Sequence, residues 1–183
     1  MITILMSIRR RHNANIESGE KDIELRTKPP KIKPPFRVLT YETLGEGGRG
    51  MVTNEWICDK ITEYNIKNEG VPAYIKIHGC ISHSEVMKYT NKGEKALSSL
   101  HISELRLYDK PRPLTDYYTV CKAYSLDDPY RYCEECCYFV DARGYEYDES
   151  DCGCSGRKPI TRPPQNWCYA NERFLEKIKQ NIK

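Results

Sequence analysis

The sequence has no long apolar run. Its mean hydropathy is −0.72, and no stretch approaches the roughly 18 consecutive apolar residues that a bilayer crossing needs, so no membrane partner is expected. It also lacks charge of one dominant sign: 29 Lys+Arg against 26 Asp+Glu leave +3 over 183 residues. At that balance the chain as a whole offers a polyanion very little, and any nucleic-acid reading is confined to a local patch. The opening Met1-Ile-Thr-Ile-Leu-Met-Ser-Ile8 is apolar but has no basic region before it and no cleavage site after it. It runs straight into Arg9-Arg10-Arg11 and reads as a strand rather than a secretory leader, which makes the cytoplasm the expected location. Several catalytic signatures are missing as well. No His-Glu-x-x-His and no nucleophile elbow occurs, His12, His78, His83 and His101 are scattered, and there is no internal repeat. Gly45-Glu-Gly-Gly-Arg-Gly50 joins two expected strands and lacks a Lys-Ser/Thr pair, which argues against a phosphate-binding P-loop.

What the chain does have is cysteine, nine in all. Cys58 and Cys80 stand apart and read as packed or loop thiols. Six lie between Cys121 and Cys154, and Cys168 follows. In a reducing compartment such clustering favours metal binding over disulfides. Cys133-x-x-Cys136 has the spacing that lets two thiolates hold one metal from a tight turn, Cys137 follows at once, and Cys152-Gly-Cys154 supplies a second pair. A tetrahedral zinc built from Cys121, Cys133, Cys136 and Cys152 is the preferred set, with Cys137 and Cys154 as substitutes. An iron–sulfur centre and disulfides use the same residues and stay open. A segment so poor in aliphatic residues needs a staple of this kind. It is also rich in Asp and Glu, so it would repel a phosphate backbone.

Local patterns order the rest. Residues 2–8 predict a strand, 9–18 a short helix stopped by Gly19, and 22–27 a strand with Ile23 and Leu25 on one face and Glu24 and Arg26 on the other. The prolines of Lys28–Pro35 exclude a central strand. Strands are expected over 36–43 and 51–64, and Ser82-His-Ser-Glu85 is a capping box that predicts a helix over 83–89. A short helical or turn segment is expected near Glu94–Leu100, a strand over 101–108 ended by Lys110-Pro-Arg-Pro113, a closing strand near Asn166–Ala170, and a polar helix over 172–182. The expected division is 1–116, an insertion at 117–157, and 158–183.

One combination of these features resembles a known family. Ile4-Leu-Met-Ser-Ile8, a short helix, and then Gly19-Glu-Lys-Asp-Ile-Glu-Leu-Arg26 resemble the opening of an ASCH domain, with its Gly-x-Lys-x-x-Glu-x-Arg signature leading into the second strand. Val38-Leu-Thr-Tyr41 and Ile102–Tyr108 fit later strands of that family. Thr161-Arg-Pro-Pro-Gln-Asn-Trp-Cys-Tyr169 resembles the closing segment of versions common in phages and prophages. The resemblance implies an α+β fold, a small mixed PUA-like β-barrel with short helices, here carrying the Cys-rich metal-binding insertion.

It also implies a site. Lys21, Glu24 and Arg26 would converge, with Arg162 and Gln165 arriving from the closing segment, to hold RNA or a modified nucleotide. The cations can donate to phosphate or base acceptors, and the carboxylate can accept from an exocyclic amine. By pattern alone Glu24 and Arg26 read as a solvated surface pair of little energetic consequence, and it is the resemblance that turns the reading to a site. Relatives in the family include N4-acetylcytidine amidohydrolases and ribonucleases. In the former a lysine of this signature works with a threonine three residues later. Here that position is Glu24, which favours a binding module over a hydrolase in which Lys21 and Glu24 would be catalytic. A third reading is an adaptor that binds a host protein.

Overall fold

The computed structural model describes residues 1–119 and 159–172. The apolar, β-branched opening forms β1 (Thr3–Ile8), and α1 (Arg10–Glu17) follows at once. Gly19 ends that helix at φ 79°, a left-handed conformation that favours glycine. β2 (Ile23–Arg26), β3 (Phe36–Glu42) and β4 (Met51–Tyr64) come next, and the Pro-rich stretch between β2 and β3 carries no strand. Three short helices then precede the longest strand: α2 (Ile66–Glu69), α3 (Ala73–His78) and α4 (His83–Tyr89), followed by β5 (Leu97–Arg112). The predicted capping box is present at α4, where Ser82 and Glu85 each satisfy the other's backbone N–H. β6 (Tyr117–Thr119) and β7 (Trp167–Glu172) complete the described strands.

The chain divides into two units. The first comprises Met1–Pro113 and Pro163–Cys168, and its strands lie in the order β2-β5-β4-β3-β1, with the opening of β7 beyond β1. β1 and β3 run parallel, and the other ladders of this unit between β2 and β5, β4 and β5, and β3 and β4 are antiparallel. The second unit comprises Leu114–Arg162 and Tyr169–Lys183. Within it β6 pairs antiparallel with the end of β7, and Ile160 N–H donates to the Tyr117 carbonyl at 2.8 Å.

The fold class is mixed α+β, as expected, but the sheet is open where a closed barrel was predicted. β2 stands at the edge of the strand order, and no ladder joins it to β1 among the described residues. A side chain spans that seam instead, as described below. β2 is nonetheless covered on both faces and all four of its residues are buried. Ile23 and Leu25 pack with Ile66, Ile75, Val86 and Leu97 from the helices and β5, while Glu24 and Arg26 face the other way.

Two boundaries differ from expectation for a physical reason. The segment near Glu94–Leu100 is strand from Leu97 onward, because Leu97, Ser98, Ser99 and Leu100 are all buried. Full burial removes the polar–apolar alternation that betrays a strand, and Leu97 and Leu100 imitate a helical spacing. β5 also runs through Lys110 and Pro111 to Arg112. β2 covers it only over Ser98–His101, so beyond that point one side of β5 has no β2 ladder and a missing N–H there costs no hydrogen bond. The helices α2 and α3 were not foreseen. They are single turns started by the Asn65 cap, which accepts from Asn68 N–H, and by Pro72. No helix among the described residues is long and apolar enough to cross a membrane.

Candidate functional site

The chain leaves α1 at Gly19 and brings Lys21 against β2, its N–H donating to the Asn15 carbonyl at 2.9 Å. Strand alternation then puts Glu24 and Arg26 on one face. All three side chains meet. Lys21 Nζ lies 3.5 Å from Glu24 Oε2, and Arg26 Nη2 lies 2.9 Å from Glu24 Oε1. They are far from a solvated surface pair: Lys21 is 3% exposed, Glu24 6% and Arg26 7%.

Backbone carbonyls supply the remaining acceptors. Lys21 Nζ donates to the Gly79 carbonyl at 2.8 Å. A Cβ at Gly79 would stand 2.5 Å from the Ile75 carbonyl oxygen and 2.9 Å from Leu25, so only glycine permits this approach of the α3–α4 junction to β2. Arg26 Nη2 donates to the Ser7 carbonyl of β1 at 2.8 Å, and Nη1 donates to Asn166 Oδ1 at 2.6 Å. Arg26 is therefore the side chain that spans the open seam of the sheet. Asn166 in turn donates to the Lys28 carbonyl at 2.7 Å.

Two cations face one carboxylate here. Burial pushes the Glu24 carboxyl upward more than any other single influence, but Arg26, Lys21 and His12 together carry it below the usual carboxylate range. His12 on α1 belongs to the same electrostatic group. Burial lowers its pKa first, Lys21 and Arg11 lower it further, and Glu24 and Glu85 oppose them. Two nitrogens of the group are buried without a hydrogen-bond partner, Arg26 Nε and His12 Nδ1.

The remaining predicted positions fare differently. Gln165 is exposed, and the neighbouring Asn166 is the residue that reaches Arg26. Arg162 is exposed and belongs to the second unit. Of the arginine triplet, Arg10 donates to the Gly47 carbonyl and Arg11 pairs with Glu85, so two of the three are held by protein acceptors. His12 and Asn166 were not singled out as site residues. His12 could have been, since it stands four positions before the buried Ile16 and so shares the helix face that leads to Lys21. Nothing local marks Asn166.

The cysteines expected to ligate zinc, Cys121, Cys133, Cys136 and Cys152 with alternates Cys137 and Cys154, lie outside the described residues. Among the described residues no group of three or more His, Cys, Asp or Glu side chains could hold a metal. Cys58 is buried, and burial pushes its thiol up to about 12; the Cys168 thiol is pushed up to about 11 by the same cause.

The architecture is that of the ASCH/PUA-like fold. It matches the crystal structure of ASCH from Zymomonas mobilis with a TM-score of 0.58 at 14% identity, over 98% of this chain and 94% of that one. A tyrosine-to-phenylalanine variant of the same protein matches at a TM-score of 0.57 and 14% identity over 100% and 98% of the two chains. A serine-to-alanine variant matches at 0.55 and 15% over 98% and 94%. No protein-family profile and no curated protein sequence matches the chain.

Proposed function

We propose that the protein binds RNA or a nucleotide through the buried group of Lys21, Glu24 and Arg26, with His12 at its half-buried margin. The observation that carries this reading is the surplus cation. Two cations against one carboxylate leave a net positive charge in a low-dielectric setting, where one anionic group is most strongly held. The unpartnered Arg26 Nε adds a donor whose burial costs about 1–3 kcal/mol while it lacks an acceptor. A phosphate or base oxygen would remove that cost. The resemblance of the signature to ASCH domains and the shared fold support the same reading, and the proposal extends to a phage or prophage origin on the resemblance of the closing segment. A zinc held by Cys121, Cys133, Cys136 and Cys152 completes the proposal, with elemental analysis of the purified protein as its check.

Short single-stranded RNA should bind wild type and lose at least tenfold in affinity with Lys21→Ala or Arg26→Lys. The second variant keeps the charge but loses the planar fork. Unchanged affinity in Arg26→Lys and Lys21→Ala, with folded circular dichroism spectra, would remove the cluster from the account.

One observation favours a hydrolase as the second reading. The depressed pKa leaves His12 uncharged at neutral pH with an unpartnered ring nitrogen beside an ionised carboxylate, which is a set suited to moving a proton. Acetate released from N4-acetylcytidine, or RNA shortened on incubation and spared by His12→Ala, would establish it.

A further inference from the structure

A second candidate site lies on the opposite face of β2. Residues Cys58 and Ile102 are paired, and so are Ile61 and Leu100. Asp59 and Lys60 of β4 therefore both stand opposite the single residue His101 of β5. This is a β-bulge, a device that re-aims side chains. Its effect here is to bring a carboxylate, an ammonium and an imidazole to one place. Asp59 Oδ1 lies 2.6 Å from His101 Nδ1.

These residues line a cleft of about 710 Å³ together with Ile23, Thr62, Ser99, Tyr64 and Tyr74. Ile23 is paired with His101, which fixes the cleft on the face of β2 turned away from Glu24. Two of the lining residues are aromatic, Tyr64 and Tyr74. Tyr74 is 44% exposed, and its ring is braced by His78, whose centroid is 4.2 Å away. His78 is anchored in turn by Asp22, Nδ1 to carboxylate 2.9 Å. Tyr64 is held through its hydroxyl, 3.4 Å from Ser99 Oγ.

We infer that this cleft is a nucleotide site, independent of the Lys21 cluster, in which Tyr74 stacks on a base and Lys60 meets its phosphate. The volume falls in the range of small-molecule sites, roughly 300–1,000 Å³. An exposed, braced aromatic ring offers a stacking platform that any base can use. The carboxylate that lines the cleft, Asp59, is occupied by His101, whereas Lys60 makes no ion pair among the described residues and is the lining cation left for an anion. With Nδ1 turned to Asp59, the second ring nitrogen of His101, Nε2, is left for a ligand.

The test is calorimetric titration with AMP and CMP, with adenosine and cytidine lacking the phosphate, and with a short single-stranded RNA. Tyr74→Ala should weaken mononucleotide binding roughly 5- to 150-fold, the span of one base stack. Lys60→Ala should weaken nucleotide binding and leave nucleoside binding unchanged. Both positions are exposed, so both variants should fold. If the two substitutions act on RNA but no free mononucleotide binds, the site is confirmed and its ligand is a strand. If neither substitution alters binding of any of these ligands, or none of them binds, the cleft is not a nucleotide site. The effect of Arg26→Lys on RNA binding bears on the cluster alone, so the two readings fail separately.

Discussion

Two charged groups engage residues of α1, and they are opposite in charge balance. Around Glu24, two cations share one carboxylate. Around Arg49 the ratio inverts: its guanidinium meets both Glu17, at 2.6 Å, and Glu42, at 2.7 Å. Glu42 is further held by Asn13 Nδ2 at 2.7 Å and by the Arg49 backbone N–H at 2.8 Å, and Asn13 Oδ1 accepts from Asn54 at 2.8 Å. The second group pins the glycine-rich turn to α1 and β3, and its cation is consumed by the protein's own carboxylates. The first group keeps a cation and an arginine N–H in reserve. A buried carboxylate is common to both; what separates the group proposed to accept an anion from the one that braces a turn is the sign of the remainder.

Removing the central partner of each should separate them most. Glu24→Ala leaves two buried cations facing each other and should cost about 3–5 kcal/mol, the usual penalty for orphaning buried charge. Arg49→Ala should cost only about 1–2 kcal/mol, since Glu42 retains Asn13 and a backbone N–H and the Arg49 side chain is 41% exposed. Urea denaturation gives both values, and equal losses would erase the distinction. Next in size, inorganic phosphate at several times its Kd should raise stability by about 1 kcal/mol in wild type and not in Arg26→Ala. A rise of equal size in both would place the anion elsewhere.

The acid limb gives a smaller signal. Ion pairs and hydrogen bonds hold the Glu24 and Glu42 carboxyls below the ordinary value of 4.5 in the folded protein. The unfolded chain binds more protons in that window, so their contribution is present above pH 4.5 and is lost as pH falls through the depressed folded values. Glu24→Gln should flatten the fall in urea midpoint below pH 4.5, and an unchanged slope would show that Glu24 titrates normally. A control lies outside both groups. Ser82→Ala should cost about 1 kcal/mol by removing the α4 cap. The Glu85 carboxyl, now held at about 2 chiefly by the Ser82 backbone N–H, should rise on titration as the cap loosens.

The legible parts of this fold are those governed by near neighbours in sequence. The alternation of Ile23, Glu24, Leu25 and Arg26, the Gly19 stop and the Ser82–Glu85 box all act over a few residues, and each is found where the pattern put it. Glu24 and Arg26 read as polar-outward by the same alternation, yet their face is covered. Covering depends on β1 and on Asn166, which no local pattern reports. The same limit explains the fully buried start of β5, whose serines hide a strand, and the bulge at Asp59 and Lys60, which shows only once β4 is laid against β5. The choice between a closed barrel and an open sheet was likewise a matter of one absent ladder.

That absent ladder has a consequence for how the chain can vary. The seam is fastened by Arg26 to Asn166, positions separated by 140 residues, so the contact closes a very long loop. Loop-closure entropy grows only logarithmically, with each doubling of length costing about 0.6 kcal/mol. Residues added or deleted between Pro113 and Pro163 therefore change the cost of fastening the seam very little. A fold closed in this way can exchange the segment between β5 and Pro163 for one of quite different length while the strands of the first unit stay as they are.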